Sequence, residues 1–482
     1  MKSLWLLALI VLLSSCYAIH HSTGGGQHSK YSGTRNLEPS DVELPEGYQI
    51  EVVARDLTFP TGITFDENGV AYVTESGYSY GEVFTDPKLV RINKDGTTEI
   101  VCIGKNNGPW NGVFYYDNYF YVSEGGQLEG GKILRIDRNG NSVPLAEGLP
   151  GKGDHHTDGP LVHDGYIYFG QGTATNSGVT GKDNIEFGWL KRFPEFHDIP
   201  CKDIRLSGVN YTSNNFLNKE KGAKAETGAY LPFGTPSSPD QVIKGEVPCT
   251  GSIMRIPLKG GKPELVAWGF RNPYGMSFNQ KGELYVTENG YDDRGSRPVW
   301  GTGDFLWKIE PGKWYGWPDY SGGHRLSEGN LKVPGQGKPA RLLEEDPGEP
   351  PQPVAALGVH SSSNGFDFSR SEDFGFVGEA FIAQFGDMSP KVGKVMHPVG
   401  FKVVRVDPLT GFINDFAVNK KKNAPASKLS KGGLERPNAA RFSPDGKYLY
   451  IVDFGILMTS KRGPRPIGNS GVVWRISKIE KK

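Results

Sequence analysis

Short stretches of alternating apolar and polar residues recur six times along the chain, each closed by a turn, and this period predicts strands rather than helices. Each copy starts on a small residue, runs through one strand, turns, and ends a second strand on a polar residue. The first two are Gly62-Ile63-Thr64-Phe65 with Ala71 to Glu75, and Gly112-Val113-Phe114-Tyr115 with Phe120 to Glu124. The others run from Gly159 to Gln171, Gly275 to Glu288, Gly365 to Gln384 and Ala439 to Asp453. Glu67-Asn68-Gly69, Lys281-Gly282 and Pro444-Asp445-Gly446 are hairpin turns by composition. A third strand follows each copy, apolar residues and then a basic one: Leu89-Val90-Arg91, Ile133-Leu134-Arg135, Ile253-Met254-Arg255, Leu306-Trp307-Lys308, Val403-Val404-Arg405 and Val473-Trp474-Arg475. Six matched copies in one order predict an all-β fold, a six-bladed β-propeller with long loop insertions at about 173–250, 312–360 and 411–433. Tyr48-Gln49-Ile50-Glu51-Val52-Val53 precedes the first copy and is expected to close the ring by joining the last blade.

Composition sharpens this picture. Gly and Pro make up about a fifth of the 482 residues, but 21 Tyr, 25 Phe and 9 Trp supply a core that a disordered chain lacks. Lys plus Arg and Asp plus Glu number 54 each, a balance that argues against nucleic-acid binding. The basic run Lys420-Lys421-Lys422 reads as a solvated loop.

Residues 1–16 read as a secretory signal: Lys2, an apolar run from Leu4 to Leu13 too short to span a membrane, then Ser14-Ser15-Cys16. Leu13-Ser14-Ser15-Cys16 resembles the bacterial lipobox, so the expectation is an exported, periplasmic or cell-surface protein lipid-anchored through Cys16. Cleavage near Ala18 is the alternative. Residues 17–44 are polar and read as a tether, and 45–482 as the propeller. With Cys16 set aside, Cys201 and Cys249 flank one insertion and are the expected disulfide pair, leaving Cys102 as a buried thiol.

In a propeller, the loops leading into the inner strands and leaving the second strands share one end of the channel. The lead-in residues are Thr61, Asn111, His155 with His156, Arg271 with Asn272, Asn364, and Arg436 with Asn438. The exit residues are Glu75, Glu124, Gln171, Glu288 with Asn289, Gln384 and Asp453. One mouth is thus expected to hold two histidines, two arginines and several carboxylates, a candidate site.

Asp154-His155-His156-Thr157-Asp158-Gly159, Gly269-Phe270-Arg271-Asn272-Pro273-Tyr274-Gly275, Glu288-Asn289-Gly290, Trp314-Tyr315-Gly316-Trp317-Pro318 and Arg436-Pro437-Asn438 together resemble the quinoprotein glucose/sorbosone dehydrogenases. The resemblance spans roughly residues 45–478. It implies a dehydrogenase for a sugar or related alcohol or aldehyde, using pyrroloquinoline quinone (PQQ) and calcium. The family's catalytic histidine stands three residues before a glycine, which selects His156 as general base. The resemblance further implies cofactor contacts from Arg271, Asn272, Arg436 and Asn438. Asn438 stands where glucose-oxidising members carry a second arginine. The place of the family's cofactor lysine falls near Asp387, with Lys391 and Lys394 close by. Calcium would rest on the backbone carbonyls of Gly290 and Tyr291. Asp292, Asp293 and Asp304 form either another calcium site or an exposed acidic turn. With no Cys-x-x-Cys-His for haem, electrons would pass to a separate acceptor, a cytochrome or quinone.

Two other readings compete. A calcium-dependent propeller hydrolase of lactonase type would gather Glu75, Glu124 and Glu288 around a metal. A non-catalytic, surface-tethered binding propeller needs only the mouth. The insertion residues Trp189, Phe193, Phe196 and Tyr211 would stack on a sugar or pack on the propeller.

Overall fold

The computed structural model describes residues 34–329, 331–388, 398–420, 424–460 and 463–480. Cys16, Lys391 and Lys394 lie outside them. Six antiparallel sheets, five of four strands and one of five, surround one channel, and the repeats fall one per sheet. Blade 1 is Pro60–Phe65, Ala71–Glu75, Lys88–Ile92 and Thr98–Ile103; blade 2 is Trp110–Tyr116, Tyr119–Glu124, Gly131–Asp137 and Ser142–Leu149. Blade 3 is Thr157–His163, Tyr166–Gln171, Ser252–Pro257 and Glu264–Trp268; blade 4 is Pro273–Phe278, Leu284–Glu288, Gly303–Lys308 and Ala355–Val359. Blade 5 is Ser363–Phe368, Ala380–Gln384, Lys402–Val406 and Ile413–Asn419. Blade 6 takes Pro437–Phe442, Tyr448–Asp453 and Gly471–Lys478 from the end of the chain, and its outer strand, Tyr48–Leu57, from the start. That strand pairs antiparallel with Gly471–Lys478 from Tyr48↔Lys478 to Leu57↔Gly471, so the ring closes as the pattern predicts.

The small residue that opens each repeat has a steric cause. A Cβ on Gly112 would lie 2.3 Å from the Gly159 carbonyl, and one on Gly275 2.3 Å from the Asn364 carbonyl. Inner strands of neighbouring blades come that close around the channel, and only a missing side chain permits it. Apolar residues fill the gaps between blades. Phe374, Phe381, Phe416, Phe442 and Trp474 form one such cluster, all at most 4% exposed. Each contributes about 1.5–3 kcal/mol through burial.

Three expectations change. Ile413–Asn419 is the fourth strand of blade 5, so the insertion expected at 411–433 begins after it; likewise Ala355–Val359 ends the 312–360 insertion early. Both are outer strands, and Ile413–Asn419 is exposed over its first three residues, which hides the alternation. The third change is the tether. Val42–Glu43 pairs with blade 5 as a fifth strand, and Arg35 is buried against Asp453 at 2.5 Å and the Ser470 carbonyl at 2.6 Å. Within the polar segment, Arg35 and Val42–Glu43 are therefore docked on the propeller.

The 173–250 insertion sits between the second and third strands of blade 3 and carries two short helices, Lys182–Glu186 and Trp189–Arg192, and a hairpin, Asn210–Asn214 with Lys224–Gly228, enclosed by the pair Ile204–Ser207 and Pro239–Ile243. Its base is closed by the Cys201–Cys249 disulfide, while Cys102 is a free buried thiol, both as expected. With the two cysteines 48 positions apart, chain entropy assigns the bridge about 4 kcal/mol. Cys201→Ser with Cys249→Ser is expected to lower the urea-unfolding free energy by up to that amount, with the loss read first in proteolysis of the insertion.

Candidate functional site

The carboxylates that end the second strands do not face the channel. Glu288 accepts the Arg271 backbone N–H at 2.6 Å and the Trp307 indole at 2.7 Å. Glu124 accepts the Trp110 indole at 3.0 Å and the Asn107 amide at 2.7 Å. Glu75 accepts the Thr58 N–H at 2.6 Å. Asp453 accepts the N–H groups of Glu435 and Arg436, both at 2.9 Å, and the Trp474 indole at 3.2 Å. Each carboxylate fastens the loop leading into its own blade, and burial raises Glu288 to about 7. Glu75, Glu124 and Glu288 therefore do not converge on a metal. Among the described residues no three His, Cys, Asp or Glu side chains are grouped to hold one.

What the mouth does hold is a cavity of about 570 Å³, with a narrower extension of about 70 Å³ running down the channel. Tyr78, Tyr80, His155, Asn272 and Asn289 line both, so the two spaces are continuous. His155 stands at their junction. Its Nδ1 is 2.9 Å from the Thr173 carbonyl, which makes Nδ1 the protonated nitrogen and leaves Nε2 with the lone pair. His156 faces the extension. Its Nε2 lies 2.5 Å from the Gln127 amide nitrogen, and its Nδ1 lies 3.4 Å from the Gly151 carbonyl. The same amide nitrogen is 3.2 Å from Nδ1, and as a donor at its shorter contact it meets the lone pair on Nε2. Burial lowers both histidines, His156 to about 4 and His155 further because Arg271 and Arg294 stand near it. Both are neutral at pH 7. Gln127 was not among the residues picked from the sequence, since it lies in the loop after blade 2's second strand, where no repeat marks it.

The lead-in residues meet as the blade register predicts, and asparagines link them head to tail. The Asn272 amide donates to Asn289 Oδ1 at 2.9 Å, Asn289 to Asn364 Oδ1 at 3.4 Å, and Asn364 to Asn438 Oδ1 at 2.8 Å. Asn438 donates in turn to the Thr61 carbonyl at 2.9 Å and Tyr274 Oη at 2.8 Å. Asn438 is thereby spent on the wall of the extension. At the head of the chain Asn272 Oδ1 is buried with no donor, an acceptor in want of a partner.

Arg271 lines the large cavity. Its fork reaches Asp292 at 2.7 Å, and its Nε reaches the Asn176 side chain at 3.1 Å. Arg294 joins Asp154 at 2.8 Å, Asp183 at 2.7 Å and Asp292 at 3.0 Å. Burial alone would raise Asp292, but Arg271 and Arg294 hold it well below the usual carboxylate range, while burial carries Asp154 up to about 6. Arg436, expected beside a cofactor, is instead 1% exposed. It lies between the rings of Phe385 and Phe401 and donates to the carbonyls of Phe385, Gly386 and Asp387. It braces the cavity wall from behind. Gly290 lines the cavity, and its N–H donates to Asp304. The Tyr291 carbonyl takes the Thr302 hydroxyl at 3.2 Å. Of the acidic residues weighed as a second calcium site, Asp304 is occupied by the N–H groups of Gly290 and Ser363 and the Ser361 hydroxyl, and Asp292 by arginines. Trp189 lines the cavity, whereas Phe196 packs in the core of the insertion.

Comparison with known proteins bears on this mouth. Residues 245–383 match the family model described as Glucose / Sorbosone dehydrogenase, a segment that carries Arg271, Asn272, Gly290 and Tyr291. An uncharacterized protein of Borreliella burgdorferi is 21% identical over 429 residues, covering 86% of this chain and 89% of its own. The PQQ-bound form of an aldose sugar dehydrogenase from Streptomyces coelicolor is similar with a TM-score of 0.50 at 15% identity, over 90% of this chain and 99% of that one. The holo PQQ domain of a pyranose dehydrogenase from Coprinopsis cinerea gives 0.53 at 15% identity, over 95% of this chain and 100% of that one. At such identities the two structures show a shared fold. The chain is thus a six-bladed β-propeller, and its residues 245–383, which contribute Arg271, Asn272 and Gly290 to the mouth, match the glucose/sorbosone dehydrogenase model.

Proposed function

We propose that the protein oxidises a carbinol or aldehyde carbon of a sugar or related alcohol at the channel mouth, with PQQ as cofactor. The observation that carries this reading is a pair of buried, neutral histidines, each with its lone pair on Nε2, at the neck of a cavity large enough for a cofactor and a sugar together.

The cavity residues fit a planar anionic cofactor in two respects: Arg271 and Arg294 bring guanidinium charge to the lining, and Tyr80, Trp189 and Phe385 offer apolar faces. The unmet Asn272 Oδ1 would accept from an N–H or O–H of the group. Arg436 and Asn438 are committed elsewhere, so Arg271 and Asn272 would hold the group. Of the two residues whose carbonyls are expected to hold calcium, Gly290 lines the cavity and Tyr291 does not. The lining carries Glu82, Asp154, Glu186, Asp292, Asp304 and Asp387 against the two guanidiniums of Arg271 and Arg294. An anionic cofactor therefore needs a bound cation beside it. When bound, PQQ supplies the two-electron acceptor that takes the hydride from the substrate carbon.

The chain's own residues do the rest. A carbinol entering the extension displaces the Gln127 amide from His156 Nε2 and gives its hydroxyl proton to that nitrogen, the role of a general base. His155, held by Thr173, meets the substrate at the junction. Trp189 and Phe187 of the insertion wall the cavity and limit water. Because His156 is lowered to about 4, its base form is present at any higher pH. The acid limb of kcat/KM is expected near pH 4, not near the 6.5 of a solvated histidine.

The test is PQQ binding, followed by its absorbance, with and without calcium. We expect micromolar binding that excess EGTA weakens at least tenfold and that Arg271→Gln also weakens. Absence of PQQ binding with calcium present contradicts the reading and leaves a binding propeller.

Export belongs to the same proposal. The Cys201–Cys249 bridge supports it, since such bonds persist in oxidising compartments. Cys16→Ala is expected to move the protein from the membrane to the soluble fraction; equal partition of both forms would remove the lipid anchor.

A further inference from the structure

The far end of the channel, opposite the histidines, carries a second cavity of about 310 Å³. Its position follows from blade register. Thr64, Phe114, Leu161, Ser277, Asp367 and Arg441 occupy one equivalent inner-strand position, each opposite an aromatic residue of the second strand. Arg441 and Asp367 therefore face the same channel end as neighbours from blades 6 and 5.

Arg441 is placed unusually. Its guanidinium lies 5.0 Å over the Phe114 ring and lines the cavity. Its approach to a carboxylate is Nε to Asp367 Oδ2 at 3.8 Å, too long for a hydrogen bond. Asp367 is already shared among the Ser277 hydroxyl at 3.0 Å, the Phe368 N–H at 2.9 Å, Arg370 at 3.0 Å and the Phe442 N–H at 3.2 Å. Arg370 turns its second nitrogen to the Phe278 carbonyl at 3.0 Å. Asp445, at the rim, is exposed and tied into its own turn by Ser443 and the Lys447 N–H. Among the described residues, the Arg441 guanidinium makes no hydrogen bond.

The Arg441 side chain is 24% exposed at the cavity, so its donors, unspent on protein and near the Arg370 guanidinium, are open to exchange water for an anion. Burial lowers the Arg441 pKa, Asp367 opposes this, and Arg370 adds to the lowering. The planar fork matches two oxygens of a carboxylate or phosphate. The Thr64 hydroxyl, which accepts the Tyr115 N–H, stands in the same lining and can add a neutral donor.

We infer that this end of the propeller is a binding site for a small oxyanion, with Arg441 as its bidentate anchor and Arg370 as its second charge. The site is independent of the chemistry at the mouth.

The test is calorimetric titration of the full mature protein with inorganic phosphate and, separately, acetate, at constant ionic strength against chloride. Saturable binding of at least one is expected, and the tighter of the two tells a phosphoryl from a carboxylate ligand. Arg441→Gln is expected to weaken it at least about tenfold, and Arg441→Lys, which keeps the charge but not the fork, by less. Unchanged affinity in Arg441→Gln, or no saturable heat with either anion, overturns the site. Should Arg441→Gln fail to fold by circular dichroism, the wild-type thermal midpoint decides: a saturable rise with phosphate or acetate over chloride supports the site, and no rise with either overturns it.

Discussion

His156→Ala is expected to keep PQQ affinity and to lose about 10²–10⁴ in kcat, the range for removal of a positioned general base. The geometry behind this is the lone pair on His156 Nε2, marked by the Gln127 amide at 2.5 Å, in an extension wide enough for one carbinol group. His155 makes the comparison informative. It stands at the junction with its own Nε2 lone pair, so His155→Ala is expected to raise KM more than it lowers kcat. A kcat loss confined to His155→Ala would transfer the base role to His155 and refute the choice made from the glycine spacing. Gln127→Ala removes the amide that caps the base; it is expected to act through orientation, shifting KM while leaving the acid limb of the pH profile in place.

The second large effect lies away from the mouth. Arg297 and Asp319 pair at 2.7 Å, each 1% exposed. Asp319 also accepts the Leu342 and Leu343 N–H groups at 3.0 and 2.9 Å, and Arg297 donates to the carbonyls of Pro318 at 2.8 Å, Ala340 at 2.8 Å and Ser177 at 3.3 Å. Arg297, from the loop between blade 4's second and third strands, thus joins the first insertion at Ser177 to the second at Pro318, Asp319 and Ala340. Asp319→Ala leaves the Arg297 charge buried without its counterpart. The expected loss is about 3–5 kcal/mol, read as a fall in the urea midpoint at unchanged slope. A loss below about 1 kcal/mol would mean that the backbone carbonyls alone carry the guanidinium.

The propeller was legible because its signal is repeated: a single alternating hairpin is ambiguous, but six in one order are not. Ring closure by Tyr48–Leu57 followed from one unassigned strand standing before the first repeat. Outer strands were less legible, since Ile413–Asn419 exposes its leading residues and loses the alternation that marks buried faces. The site was legible in position more than in role. Blade register brought Thr61, Asn272, Asn364 and Asn438 together as expected, yet gave no warning that Glu75, Glu288 and Asp453 turn back to cap backbone N–H groups and Glu124 to hold the Asn107 amide and the Trp110 indole. Those contacts depend on indoles such as Trp307 and Trp474, from the third strands, which sequence spacing does not connect to them. Arg436 misled for a related reason: a conspicuous arginine in a lead-in loop serves the backbone of residues 385–387 rather than the cavity.

The central claim is oxidation of a polyhydroxylated substrate at the mouth. Its most direct measurement is dye reduction by the mature protein with PQQ and calcium, across a panel of aldoses, sorbosone and simple alcohols. Turnover that requires both PQQ and calcium, and that falls about 10²–10⁴-fold in His156→Ala, is the predicted result. Cofactor bound but no substrate of the panel oxidised, or turnover indifferent to both histidines, would contradict it.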